Sequence, residues 1–332
     1  MNLFTIEKKP RKGLLWVEWA VLAYLVFTLV VMLVFYVKLA NPESMVWGRV
    51  RVVTLMAAMW LVYRLLPCRA TMLLRVCSQM CLLAWWYPDT YEINRLFPNL
   101  DWLVAQWDEQ LFGCQPALLF PTLLPSPIVS ELLHLGYVSY YPMIVLTVLV
   151  YFFRRYDEFE RCAFIVMASF FIYYVIFDLM PVAGPTYYYK AVGLGEIAKG
   201  VFPHLGDYFN FHEDSLQLPG YSKGVFYRLV ADAQASGERP TAAFPSSHVG
   251  MSTICMLLLW HLRQKKLILA LLPIYILLCL ATVYIQAHYL VDVLAGWATA
   301  VPIYLLLLAV SAKISNFAPQ HSPSSKSSKK RK

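Results

Sequence analysis

Apolar residues in this chain come in blocks near twenty long, and a block of roughly twenty is what an α-helix needs to cross the hydrocarbon core of a bilayer. The qualifying stretches are 14–38, 51–67, 70–87, 128–153, 161–180, 246–262, 267–286 and 289–311. Composition agrees, because 59% of the 332 residues are hydrophobic and only 14% are charged, too few to cover a soluble surface. The second block carries Arg51 and Arg64 at its edges, and the third contains Arg75. The first block is too long for a signal-peptide core and no small-residue cleavage site follows it, so it is expected to be retained. The expected fold is an all-α polytopic membrane bundle of about eight transmembrane helices.

Charge distribution supports that count. Lys8, Lys9, Arg11 and Lys12 precede the first block, and Arg154, Arg155 and Arg161 lie between the fourth and fifth. Arg263, Lys265 and Lys266 lie between the sixth and seventh, and Lys329, Lys330, Arg331 and Lys332 end the chain. Eight spans put all four clusters, with Arg64 and Arg69, on one side, which is then cytoplasmic. Both termini are expected there, and the loops 88–127 and 181–245 on the other side. The net charge of +8 therefore sits in cytoplasmic loops and tails rather than marking a nucleic-acid surface. The tail SPSSKSSKKRK reads as a disordered basic end that can touch anionic lipid.

Other features constrain less. Of seven cysteines only Cys114 falls in an outer loop, so no disulfide framework is implied. His204, Asp207, His212 and Asp214 match no ligand spacing and read as a solvated surface, so no metal is expected. The loop 88–127 reads as a lid or surface helix, and WWYPDTY has the aromatic mix of an interfacial belt. GYSKGVFYRLVADAQASGERP reads as a short helix between two turns.

The chemistry concentrates at one face. PSSH, residues 245–248, opens the sixth span, and HYLVD, residues 288–292, opens the eighth. One helical hairpin returns His288 to the face that holds His248. Asp292 follows His288 by four residues, which on a helix puts both on one side. A carboxylate bonded to one imidazole nitrogen fixes the tautomer and leaves the other lone pair free as a nucleophile or base. A second histidine can protonate a leaving oxygen. Helix first turns attract phosphate, and Ser246 and Ser247 add hydroxyl donors. The bland readings are a histidine tolerated at an interface and an ordinary intrahelical hydrogen bond. An acid inside a span, however, demands a partner or a function. Polar centres at a lipid–water boundary suit a substrate with a lipid tail and a phosphate head.

These residues resemble the type 2 phosphatidic acid phosphatase superfamily. Pro245-Ser246-Ser247-His248 is similar to its PSGH motif, and His288 and Asp292 match the end of its SRxxxxxHxxxD motif. Thr282 stands where that motif has arginine. Of the KxxxxxxRP motif only Arg239-Pro240 is present, with Asp232 at the lysine position. The pattern is closer to the inositol phosphorylceramide synthase branch, whose AFPSxH and TxYxxxHYxxD stretches match residues 243–248 and Thr282, Tyr284, His288, Tyr289 and Asp292. A proline-rich aromatic segment at 181–188 is also similar.

The resemblance implies His288 as nucleophile, Asp292 as its orienting partner and His248 as general acid. It implies transfer of phosphoinositol from phosphatidylinositol to ceramide through a phosphohistidine, with no cofactor and no metal. It also implies a six-helix core preceded by extra helices, divided as 1–127, a core at 128–311 and the tail 312–332. Arg239 is a candidate phosphate ligand or a solvated loop arginine. Tyr187 and Lys190 read as belt residues or headgroup contacts. Glu131, one turn from His134, reads as a headgroup contact or a bundle-interior hydrogen bond, and Asp178 has the same two readings. A lipid phosphate phosphatase is the alternative function, and a transporter using Asp292 is a lower one.

Overall fold

The structure, a computed structural model, describes residues 3–317. The chain opens with α1 (Trp16–Val34), α2 (Pro42–Leu65) and α3 (Arg69–Cys81). Shorter helices follow as α4 (Leu83–Asn94), α5 (Asp101–Phe112) and α6 (Pro116–Leu123). Then come α7 (Pro127–Val138), α8 (Tyr140–Arg154) and α9 (Phe159–Leu179). The second large connection forms α10 (Pro185–Val192), α11 (Leu194–Ala198) and α12 (Val225–Gly237). The chain closes with α13 (Ser247–His261), α14 (Lys265–Tyr284) and α15 (Leu290–Phe317). Among the described residues there are no strands, and the fold is an all-α polytopic bundle.

Among the described residues, five helical segments are long and apolar enough to cross a membrane, or six if α7 and α8 form one bent span. The sequence suggests eight, and three of its blocks differ for local reasons. Block 128–153 bends by 45° between α7 and α8. Pro142 lacks an N–H and its ring crowds residue 138, where α7 ends. Block 70–87 breaks at Leu82, leaving α3 only 13 residues, about 20 Å of helix. Block 246–262 yields a 15-residue α13, about 22 Å, against a hydrocarbon core of about 30 Å. The second block also starts earlier, at Pro42. α15 runs on to Phe317, so the expected tail boundary at 312 falls inside a helix, and residues 318–332 lie outside the described residues.

α9 forms the axis of the bundle. Its span is 72% buried, against 28–39% for the other four, and α1, α4, α8, α13 and α15 pack on it. Its residues Phe159, Phe170, Phe171, Tyr173, Tyr174 and Phe177 supply much of that core. α13 is wedged between α15, α14, α8 and α9. Two buried ion pairs tie in the N-terminal helices: Arg75 to Glu18 at 2.6 Å and Arg49 to Asp89 at 2.9 Å. Arg75, awkward for a span in the sequence, is fully buried and neutralised there. Losing one partner of such a pair would strand a buried charge, at about 3–5 kcal/mol.

Among the described residues, side chains from the first and second basic clusters and from Gln264, beside the third, gather at one end. There Arg11 pairs with Glu160, Arg154 donates to Gln264, and Tyr63 and Tyr156 both donate to Glu7. His248 and His288 lie at the other end of the bundle, under a layer built from α5, α6, α10, α11 and α12. The segment read as a short helix between turns is α12.

Candidate active site

Ser246 caps α13, its Oγ accepting from the Val249 amide at 3.4 Å, and its own amide donates to the Asp292 carbonyl at 3.0 Å. That bond joins the start of α13 to the start of α15. Gly296 permits the approach, since a Cβ there would stand 2.7 Å from the Ser246 carbonyl. Ser247 and His248 occupy the first two positions of α13 and face a small pocket of about 40 Å³.

His288 reaches the same pocket from the turn between α14 and α15. It precedes α15 rather than lying on it, so the expected helical i,i+4 relation with Asp292 is replaced by a turn. Its amide donates to the Thr282 carbonyl at 3.0 Å. Nδ1 lies 2.7 Å from the Ala243 carbonyl and 3.5 Å from Asp292 Oδ2. The closer partner is thus backbone, with the carboxylate behind it. A carbonyl only accepts, so Nδ1 carries the proton and Nε2 holds a lone pair. Nε2 lies 3.3 Å from His248 Nδ1, which must then be the donor. Two imidazoles forty positions apart therefore meet directly. The His248 ring is held between Tyr137, stacked at 4.8 Å, and Tyr140 at 4.4 Å.

The pocket is also lined by Tyr87, Thr186, Tyr187, Glu238, Arg239 and Thr241. What the arrangement can do is present a neutral, oriented imidazole nitrogen to an electrophile while a second imidazole moves a proton beside it.

A family model described as the PAP2 superfamily matches residues 102–306, well over half of the chain. The chain belongs to the PAP2 superfamily. No curated protein and no solved structure matches it. PAP2 membership makes it an enzyme of the lipid phosphatase or phosphotransferase type.

Other expected site residues fall on both sides of the pocket's edge. Tyr187 lines the pocket, whereas Lys190 is exposed at the far end of α10. Arg239 lines it too, but its guanidinium is engaged by Glu213 and half exposed. Glu131 accepts from the amides of Phe226 and Tyr227 and so caps α12. His134 bonds the Ser130 carbonyl, and Asp178 accepts from Tyr24. Thr282, in place of the superfamily arginine, turns its hydroxyl to the Cys279 carbonyl of its own helix. Among the described residues no group of three or more His, Cys, Asp or Glu is placed to hold a metal.

Three acids that sequence reasoning passed over frame the candidate site. Asp101 and Asp108 stand seven apart on α5, two turns on one face, a spacing that the lid reading left unused. Asp101 accepts from the amides of Ala183 and Gly184 at 2.6 and 2.8 Å, and from Asn99 and the Tyr289 hydroxyl. Gly184 is required there: its φ is +97°, and a Cβ would stand 2.8 Å from the Ala287 carbonyl. Burial pushes the Asp101 carboxyl up while those donors pull it down. Asp108 accepts from the Leu290 and Val291 amides and, through burial, is pushed up to about 6. With Asp292 on the Tyr289 amide, carboxylates already occupy the N-terminus of α15. The first turn of α13, by contrast, carries no acidic residue. Glu238, at the end of α12, accepts from Tyr137 and is pushed by burial up to about 7.

This makes α5 part of the frame rather than a loose lid. Asp101→Ala would leave two buried amides and a hydroxyl without their acceptor, each costing about 1–3 kcal/mol. Thermal unfolding in detergent should show a clear loss of stability, and turnover should fall at least about tenfold. Asp101→Asn keeps one acceptor oxygen and should recover part of both. Unchanged unfolding and turnover in Asp101→Ala would contradict this assignment.

Proposed function

We propose that the protein transfers phosphoinositol from phosphatidylinositol to ceramide or dihydroceramide through a phosphohistidine at His288. The observation that carries the reading is the meeting of His288 Nε2 with His248 Nδ1 in a buried pocket, with the opposite edge of His288 locked to Ala243.

That geometry supports the following course. The anionic phosphodiester enters by displacing the His248–His288 hydrogen bond, and its charge draws a proton from water onto the otherwise neutral His248. His288 Nε2 attacks phosphorus, the bond to the diacylglycerol oxygen breaks, and His248 gives that oxygen its proton. Asp292 faces the positive charge that the phosphorylated ring acquires. A ceramide hydroxyl then attacks phosphorus and passes its proton to His248. The N–P bond breaks and its electron pair returns to Nε2. One phosphodiester replaces another, so the exchange needs no nucleotide.

Charge supports a diester over a monoester. Among the described pocket residues the only full cation is Arg239, and Glu213 engages it. A doubly charged phosphomonoester would want more, which weighs against the phosphatase alternative. Glu238, held mostly neutral below about pH 7, spares a singly charged headgroup repulsion. Beyond Arg239 opens a polar cavity of about 440 Å³ with Asn41, Ser44, Glu92 and Arg95 among its lining, a donor and acceptor set suited to a polyol. The gathering of basic residues at the opposite end supports cytoplasmic termini and a site on the lumenal or periplasmic face.

The direct test is incubation of reconstituted protein with labelled phosphatidylinositol and ceramide. Labelled sphingolipid and diacylglycerol in equal amounts are expected. Free inositol phosphate or inorganic phosphate as the main product would instead indicate a hydrolase.

Acidity gives a further test. Burial pushes the His288 imidazole down to about 4, against about 6.5 for a free histidine. The depressed value favours the neutral form, so the nucleophile is intact above about pH 4 and lost as pH falls through it. The rate of diacylglycerol release in a single turnover should show no limb from nucleophile protonation until near pH 4. A tenfold drop per pH unit beginning near 6.5, and unmoved by changes at His248, would contradict a buried neutral His288.

A further inference from the structure

We propose that an apolar cleft between α3–α4 and α8–α9 holds a hydrocarbon chain of the lipid whose phosphate sits at His248 and His288. The inference rests on the lipid-substrate reading above and extends it to the part of the chain that precedes the family match at residue 102. The cleft has a volume of about 290 Å³, several times that of the histidine pocket. Cys77, Cys81 and Ala84 form one wall, and Tyr141, Val145 and Leu149 form the other. Tyr141 to Leu149 on α8 descends about 12 Å into the apolar zone of the bundle.

Two aromatic contacts link the cleft to the histidine pocket, and that proximity selects the occupant. Tyr140, whose ring lies 4.4 Å from that of His248, neighbours the cleft residue Tyr141 at 4.9 Å. Tyr87 lines the histidine pocket, and its ring meets that of the cleft residue Tyr174 at 6.5 Å. The two spaces are thus separated by one aromatic wall. A lipid with its phosphorus between the imidazoles has a chain leaving toward this wall. The cleft offers that chain a dry, membrane-level berth that α9 and α8 alone would leave open on one side. On this reading the N-terminal helices select the tail, while the matched region carries out the chemistry.

The test uses Ala84→Trp and Val145→Trp, both exposed side chains lining the cleft and outside the catalytic pocket. Turnover is compared across phosphatidylinositols of short and long acyl chains with the full-length protein in liposomes. Each variant should lose about tenfold in kcat/KM on the long-chain lipid, the effect of unburying about two methylenes, and stay near wild type on the short-chain one. Retained short-chain activity shows that the variant is folded. Equal losses on both lipids, or no loss on either, would overturn the proposal.

Photolabelling provides a readout independent of turnover. Phosphatidylinositol with a diazirine near the end of its acyl chain should label peptides spanning 77–84 and 141–149, and tryptophan at position 84 or 145 should suppress that labelling. Equal labelling by a diazirine phosphatidylcholine would mean that bulk bilayer lipid fills the cleft, which also overturns the proposal. Labelled cleft peptides without any transfer product would reject the transferase reading while supporting the cleft. Product formation with no dependence on chain length would reject the cleft alone.

Discussion

Replacing His288 with alanine is expected to abolish lipid turnover, by at least about a thousand-fold in kcat. The size follows from the role: the imidazole is not one of several stabilising contacts but the atom that bonds to phosphorus. Its surroundings limit any substitute. Nε2 is set by three restraints, the Ala243 carbonyl on Nδ1, the Thr282 carbonyl on the amide and His248 opposite. Water entering the space left by the ring would lack that alignment. The fold should survive, because the pocket is small and the α13–α15 junction is held by backbone through Ser246 and Asp292. An alanine variant that elutes and unfolds like the wild type yet turns lipid over at a similar rate would remove the basis of the mechanism.

His248→Ala is expected to cost about a hundredfold to ten-thousand-fold, the usual range for a positioned acid–base group. Here the loss should depend on the leaving group. Diacylglycerol departs as a poor alkoxide unless it is given a proton. A nitrophenyl ester of the same phosphoinositol departs without one. The variant should therefore release nitrophenol in a burst of about one equivalent and then stall, since the ceramide hydroxyl still lacks its base. Tyr137 and Tyr140, which grip the His248 ring, are retained, so ground-state binding should change little. Equal losses with both substrates, and no burst, would assign His248 a packing role instead.

The sequence carried the all-α membrane class, the pairing of PSSH with HYLVD and the helix within the connection 181–245. These are signals of short range or of period: twenty-residue apolar runs, motifs a few residues long, turn residues flanking 225–237. Pro142 was equally readable as a break, but a continuous apolar run masks a bend that keeps both halves apolar. The short α13 and the split at Leu82 show the reverse, hydropathy without the length to match.

The missing pieces were those made by distant contacts. Asp101 and Asp108 act on Tyr289, Leu290 and Val291, more than 180 positions away. Nothing in an amphipathic outer helix names such a partner. Ala243 serves His288 with a backbone carbonyl, which every residue possesses, so its identity leaves no mark. Glu131 read as a headgroup contact or an interior hydrogen bond; it is hydrogen-bonded within the protein, and only the position of α12 shows that it caps a helix. Arg239 met its partner Glu213 through the folding of a loop.

The central claim is that phosphorus is passed through His288 with His248 beside it. The most direct measurement is mass spectrometry of the full-length protein mixed rapidly with phosphatidylinositol, without ceramide, and denatured at alkaline pH to preserve N–P bonds. A phosphoinositol adduct on the peptide containing His288, absent from His288→Ala and discharged when ceramide is added before denaturation, is the expected result. An adduct on a different side chain, or steady transfer to ceramide while His288 is never modified, would contradict the account.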